Sequence, residues 1–295
     1  MLQRVLVIVM TGLVCVNPAT GGVAGGGVGG GGVVSVLYAG SLVNVMEHGL
    51  GPAFEAATRF RFQGVAGGSV AIAHQIKDRL RRADVFISAL PQVNQFLMGE
   101  ANGDWVRWYA SFAASPLVLG YNTRSPFAEQ LKVKPWYEVL AAPGFRLGRT
   151  DPALDPKGKL TLECIDRAER YYGRPDLRQA ILGGTGNPSQ VFPEETLVGR
   201  LQTGQLDAGF FYTIEAVEAH IPFITLPAAI TLKAEYTVTI PRAAPNDLGA
   251  RAFARFLLGL SGRALLAEHG LDVLRPHVAG DPAAVPEDLR PLLNP

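Results

Sequence analysis

Two short joints constrain this chain more than any other feature. "YAGSL" (38–42) closes a strand-like apolar run and opens a helix-like one, and "AGGSV" (66–70) repeats the change about two dozen residues later. "VVSVLYAG" (33–40), "RFRFQGVAGG" (59–68) and "ADVFISAL" (83–90) read as strands, with helix-like segments between them. Strand, helix, strand, helix, strand predicts a parallel α/β sheet. In open sheets of that kind, ligands lie beyond the C-terminal ends of the strands, where both joints fall. The plain reading of each Ser is an N-cap that accepts from first-turn N–H groups. The functional reading is that the hydroxyls and free N–H groups hold an oxyanion, helped by the helix dipole. Two joints in consecutive crossovers can converge on one point. This favours a shared anion site at the Ser41 and Ser69 joints.

Charge composition sharpens that reading. The 295 residues carry 27 Lys and Arg against 26 Asp and Glu, a net charge of +1. That balance argues against a broad nucleic-acid or membrane-surface footprint. An anion must therefore be held by local groups.

The first residues read as an export signal. Arg4 precedes an apolar run from Val5 to Val16, and small residues follow. The run is short for a membrane span, which needs ~20 apolar residues. Residues 1–24 are assigned as a signal peptide and 25–32 as a Gly-rich tether. Cys15 stands late in the run, where a lipoprotein signal would end. Val14 before it is bulkier than the small residue that lipidation usually requires. A Cys within a discarded signal is the favoured reading, and a lipid anchor at Cys15 is the alternative. Cys164 is the one other cysteine, so the mature chain has no internal disulfide.

Further along, 115–122 and 146–152 read as strands, and 158–173 and 193–204 as helices. "LDAGFFYT" (206–213) reads as a strand running into a helix, 234–246 as a strand and turn, and 247–271 as an amphipathic helix broken near Gly259 to Gly262. "SVAIAHQIKDRLRR" (69–82) has Val70, Ala73, Ile76 and Leu80 at helical spacing. Asp151 and Asp155 each precede a Pro, which is ordinary turn chemistry. A carboxylate repels an anion unless it is protonated, hydrogen-bonded or bonded to the metal of an oxometalate. Asp155 to Gly158 also resembles a helix entry whose backbone N–H groups can donate. Tyr212 is either a packed core tyrosine or a phenolic donor at a strand end. Catalysis has little support. The five His are scattered without metal-ligand spacing, and neither a G-x-S-x-G elbow nor a P-loop is present. A Ser hydrolase would need a distant His and acid to meet Ser41 or Ser69.

"YAGSL", "AGGSVAIAHQIKDRLRRADVFISA", "PWYEVLAAPGFRLGRTDPALDPKGKLTL", "GQLDAGFFYTIEAV" and "IPRAAPNDLGARAFARFLL" together resemble the solute-binding proteins of ABC importers for molybdate and tungstate. The likeness runs from about Val33 to Val278 and is nearest the tungstate/molybdate branch first described in archaea. It implies an α/β, two-lobed periplasmic-binding-protein fold of type II-like form, with two Rossmann-like lobes. Lobe one would hold 33–117 and 231–279 and lobe two 118–230, with two hinge strands near Val118 and Ile230 and a tail at 280–295. It also implies a cleft in which Gly40, Ser41, Gly68 and Ser69 face Asp155, Phe211 and Tyr212, with the metal centre of the oxyanion near Asp155. One departure stands out: in the archaeal branch a Glu precedes the Tyr, and here that position is Phe211. Glu215, one helical turn on, has no evident reason to substitute. Lys157 is a rival contact. The implied protein is an exported, non-catalytic monomer without a cofactor. It would take molybdate or tungstate and deliver it to an ABC permease with its ATPase. The alternatives are a receptor for sulfate or another small anion, and a secreted enzyme or sensor on the same fold.

Overall fold

The computed structural model describes residues 31–293. The segments assigned as signal and tether up to residue 30, with Cys15, lie outside the described residues.

Nine strands form one curled, mixed sheet: β1 (Val33–Ala39), β2 (Arg61–Gly67), β3 (Val85–Ser88), β4 (Trp108–Tyr121), β5 (Leu147–Gly148), β6 (Ala208–Tyr212), β7 (Phe223–Thr225), β8 (Lys233–Thr239) and β9 (Asp272–Gly280). The order is β2-β1-β3-β8-β4-β6-β5, and β7 and β9 also pair with β4. The first three strands are parallel, as the alternating pattern predicts, and their register sets Ala39 opposite Gly67. The two Gly-Ser joints therefore leave neighbouring strand ends, which lie ~4.8 Å apart in a parallel ladder.

Strand alternation sorts the side chains onto two covered faces. Val34, Val36 and Tyr38 join Phe54, Phe253 and Leu257 in the main core. Leu37 and Phe86 point the other way, against Ile72, Ala73 and Ile76 of the helix Ser69–Lys77. Ridges of helix thus cover both faces of the parallel part, which explains its nearly unbroken apolar strands.

β4 joins the two halves of the sheet. Its Ala110–Pro116 stretch pairs with β8, and its Leu117–Tyr121 stretch pairs with β6. In the second half the helix Pro156–Tyr172 buries Leu160, Cys164, Ile165 and Ala168, and ends where Gly173 takes φ 63° as a left-handed C-cap.

Several segments differ from the sequence reading. The helix from Ser69 stops at Lys77, because Arg79 adopts φ 58° and turns the chain, and Leu80 is exposed. The apolar spacing runs past the helix because solvated arginines carry the turn. The stretch after Ser41 is a 3-10 turn, then a π-helical turn Val45–Leu50, then an α-helix Gly51–Ala57. The strand expected at 146–152 keeps only Leu147–Gly148. β9 was not anticipated, and the segment read as a tail buries Val285, Leu289 and Leu293 in the main core.

Candidate functional site

Neither serine caps its helix. The N-cap residues are Ala39 and Gly68, and neither makes a side-chain cap bond. Ser41 Oγ instead lies 2.9 Å from the Tyr236 hydroxyl, and Ser69 Oγ accepts from the backbone N–H of Ala89 at 3.1 Å. Both serines are buried. Their hydroxyls thus tie the joints to β8 and to the end of β3.

Asp155 does act as a cap. It has extended φ and ψ, Pro156 follows at the first helical position, and its Oδ1 accepts from Lys157 N at 2.9 Å and from Thr150 Oγ1 at 2.8 Å. Burial pushes its carboxyl above the usual range, against the opposing pull of Lys157 and Thr150. The loop before it reaches across to the second joint. Ala71 N donates to Leu154 O at 3.1 Å, and a Cβ on Gly68 would lie 2.7 Å from that carbonyl. The structure therefore brings Gly68 and Asp155 together.

The Lys157 side chain is 1% exposed. Its Nζ donates to Glu215 Oε1 at 2.6 Å and sits 3.4 Å from Glu194 Oε1. Burial alone would lower its pKa, but Glu215, Glu194 and Asp155 outweigh that and hold it above an ordinary lysine. Glu215 Oε2 also accepts from Tyr212 N at 2.8 Å, at the start of the helix Thr213–Glu218. Glu194 heads the helix Glu194–Gln202, and its Oε2 would lie 1.7 Å from a Cβ on Gly40. Its pKa is pushed up to about 8 by burial, with Lys157 opposing and Glu215 and Asp155 adding.

Tyr212 is fully buried, and its hydroxyl has no hydrogen-bond partner among the described residues. Its ring meets the Tyr236 ring edge-on at 6.3 Å between centroids. Burial raises both phenols well above their ordinary pKa, so both are neutral donors. Phe211 points to the other face of β6, into a cluster with Val118, Leu197, Leu201 and Leu206. Lys157 Nζ stands 5.7 Å from its ring centroid.

Glu194 lines two cavities: one of about 340 Å³ with Gly40, Ser41 and Glu215, and one of about 290 Å³ with Gly68, Thr150 and Asp155. A larger concavity, about 580 Å³, lies at the far end of the first half among Arg107, Arg242, Arg251, Asp247 and Asp288. Several of its charges are paired, as in Arg251–Asp247 and Arg242–Asp104. Among the described residues no group of three or more His, Cys, Asp or Glu is placed to hold a metal ion. The cleft holds the Tyr212 and Tyr236 hydroxyls beside Lys157 and three carboxyls.

Sequence reasoning missed Tyr236 and Glu194, and gave Glu215 no role in the cleft. Tyr236 reads as one more strand aromatic, and Glu194 as one more first-turn acid. Their place is set by contacts as distant as the 195 residues between Ser41 and Tyr236.

A family model described as bacterial extracellular solute-binding protein matches residues 34–272. An uncharacterised solute-binding protein of Petrotoga mobilis is 30% identical over 260 residues, covering 78% of this chain and 80% of that one. A molybdate/tungstate-binding protein of Thermococcus kodakarensis is 29% identical over 313 residues, covering 88% and 86%. Among solved structures, the periplasmic molybdate-binding protein of Azotobacter vinelandii superposes with a TM-score of 0.62 at 18% identity, covering 81% of this chain and 98% of that one. That likeness extends the two-lobed periplasmic-binding fold to this chain.

Proposed function

The chain belongs to the bacterial extracellular solute-binding protein family, and from that premise we propose that it captures molybdate or tungstate in the cleft between its lobes and delivers it to an ABC permease with its ATPase. The observation that carries the ligand class is the Tyr212 hydroxyl, a buried donor without a partner among the described residues. It lies on β6 beside the Tyr236–Ser41 pair and the Asp155 loop. A buried orphan donor costs stability, and a ligand that accepts from it offsets that cost.

In this reading Gly40, Ser41, Gly68 and Ser69 form one wall, and Asp155 and Tyr212 the other, with Phe211 behind. The backbone N–H groups at the two joints and the phenol would be the donors. Ser69 orients the second joint through Ala89, and Asp155 fixes the entry of its helix. The hinge lies where β4 passes between the sheet halves near Val118, with the return crossing near Ile230, so that lobe one comprises 33–117 and 231–279 and lobe two 118–230. The protein acts as a monomer and without catalysis. It leaves the cell by the signal in 1–24. Anchoring through Cys15 is the alternative that intact mass of the membrane fraction decides.

Molybdate and tungstate are nearly the same size, so a hydrogen-bonding cage separates them little. Sulfate is smaller and would leave donors unpaired. Calorimetry of the purified chain with molybdate, tungstate, sulfate and phosphate tests the assignment. Tighter binding of either metalate than of sulfate is expected, and equal or weaker metalate binding overturns it. X-ray absorption of the bound metalate is expected to show four oxygen neighbours. Phe211 brings no carboxylate, and Glu215 is held by Lys157 and by Tyr212 N.

A further inference from the structure

Three carboxyls, Asp155, Glu194 and Glu215, share one cation, Lys157, inside the cleft. They are not held alike. Asp155 accepts from Lys157 N and from Thr150. Glu215 accepts from Lys157 Nζ and from Tyr212 N. Glu194 has only the 3.4 Å approach of Lys157 Nζ, on Oε1. Its other oxygen, Oε2, lies against Gly40, at the joint whose N–H groups would meet the anion.

A dianion brought to that joint meets this carboxylate at contact distance. Like charges in a shielded cleft repel strongly, and the group held by the weakest contact is the one that neutralises. We infer that Glu194 binds the oxyanion as a neutral carboxylic acid, its Oε2 donating a hydrogen bond to an anion oxygen, so that wherever Glu194 is ionised in the free chain, binding takes up one proton from solvent. No covalent bond forms or breaks in this step. The proton passes from water or buffer to Glu194 and returns on release. The inference rests on the oxyanion reading above. It goes beyond it in making Glu194 a specificity-determining residue: a site that must supply a proton donor at Gly40 favours an oxyanion with acceptor oxygens only.

The groups facing Glu194 all bear on its titration. Lys157 lowers its pKa, Glu215 and Asp155 raise it, and the helix that it heads favours its ionised form. Burial is the largest influence and leaves the carboxyl titrating near pH 8. The sign follows from that. Below about pH 8 the free chain already carries the proton, and affinity is independent of pH. Above it, a proton must be taken up on binding, and affinity falls about tenfold per pH unit. Molybdate and tungstate carry no proton of their own at these pH values, so the slope belongs to the protein.

The test is calorimetric titration of the full chain with molybdate and tungstate between about pH 6 and 10, above pH 8 in two buffers of different ionisation enthalpy. Wild type is expected to show the break near pH 8 and uptake of about one proton per anion above it. Glu194→Gln, which keeps a donor but cannot titrate, is expected to remove the break and to bind more tightly than wild type at the alkaline end. Glu195→Gln, its exposed neighbour, is expected to keep it. Flat wild-type affinity, or a slope that survives in Glu194→Gln, overturns the inference while leaving the oxyanion function standing. Absence of metalate binding at every pH overturns that function itself, and this inference with it.

Discussion

Tyr212 and Lys157 are single residues whose roles in folding and in binding pull apart. A buried hydroxyl without a partner costs about 1–3 kcal/mol. Tyr212→Phe is therefore expected to leave unfolding stability unchanged or raised, while metalate affinity drops about ten- to a hundred-fold. Denaturant unfolding and calorimetry on the same preparation check both halves. A loss of stability with affinity intact would make Tyr212 an ordinary core residue. Lys157 has the opposite profile. It is 1% exposed and is the cation for Glu215 and Glu194. Lys157→Met strands the Glu215 carboxylate and is expected to cost about 3–5 kcal/mol in denaturant unfolding. Adding Glu215→Gln to Lys157→Met should recover part of that loss, because a coupled pair is not additive.

At the scale of elements, close approach at the two joints decides what the cleft can do. A Cβ on Gly68 would stand 2.7 Å from the carbonyl oxygen of Leu154, which is backbone and cannot swing aside. Gly68 has φ −59°, so any residue can adopt its conformation. Gly68→Ala is thus expected to push the Asp155 loop off the helix Ser69–Lys77 and to weaken metalate binding tenfold or more, with only a small change in ligand-free stability. Unchanged affinity would mean that the loop contact is dispensable. Both joints were legible in the sequence, because small residues between a period-2 and a period-3.6 run mark a strand-to-helix turn. Their use was less so. The N-cap reading of Ser41 and Ser69 failed because each hydroxyl finds a partner on another strand, Tyr236 on β8 and Ala89 after β3. Phe211 was weighed as a lost contact, yet strand alternation already places it on the face opposite Tyr212. Glu194 could not be read at all, since a first-turn acid on a solvent-facing helix has the same local sequence.

For the molecule as a whole, the question is what holds the two halves of the sheet against each other. β4 runs through both halves. The Ala71–Leu154 hydrogen bond ties one rim of the cleft. The opposite rim has a second tie: His269 Nδ1, at the end of the helix Leu260–Glu268, lies 2.8 Å from Glu218 Oε1, at the end of the helix Thr213–Glu218. The first helix packs with β9 on the early part of β4, whereas the second follows β6 on its late part. Asn44, in the turn after the first joint, lines the same cavity as Glu218. Contacts made only when lobes close slow release more than they speed capture. One hydrogen bond of this kind is worth about 0.5–1.5 kcal/mol. His269→Ala is therefore expected to raise the metalate dissociation rate about three- to ten-fold and to leave the association rate within a factor of two. Stopped-flow displacement by excess competing metalate measures the first rate, and direct mixing the second. If both rates stay at wild-type values, the contact is only a surface pair, and closure rests on the Gly68 rim alone.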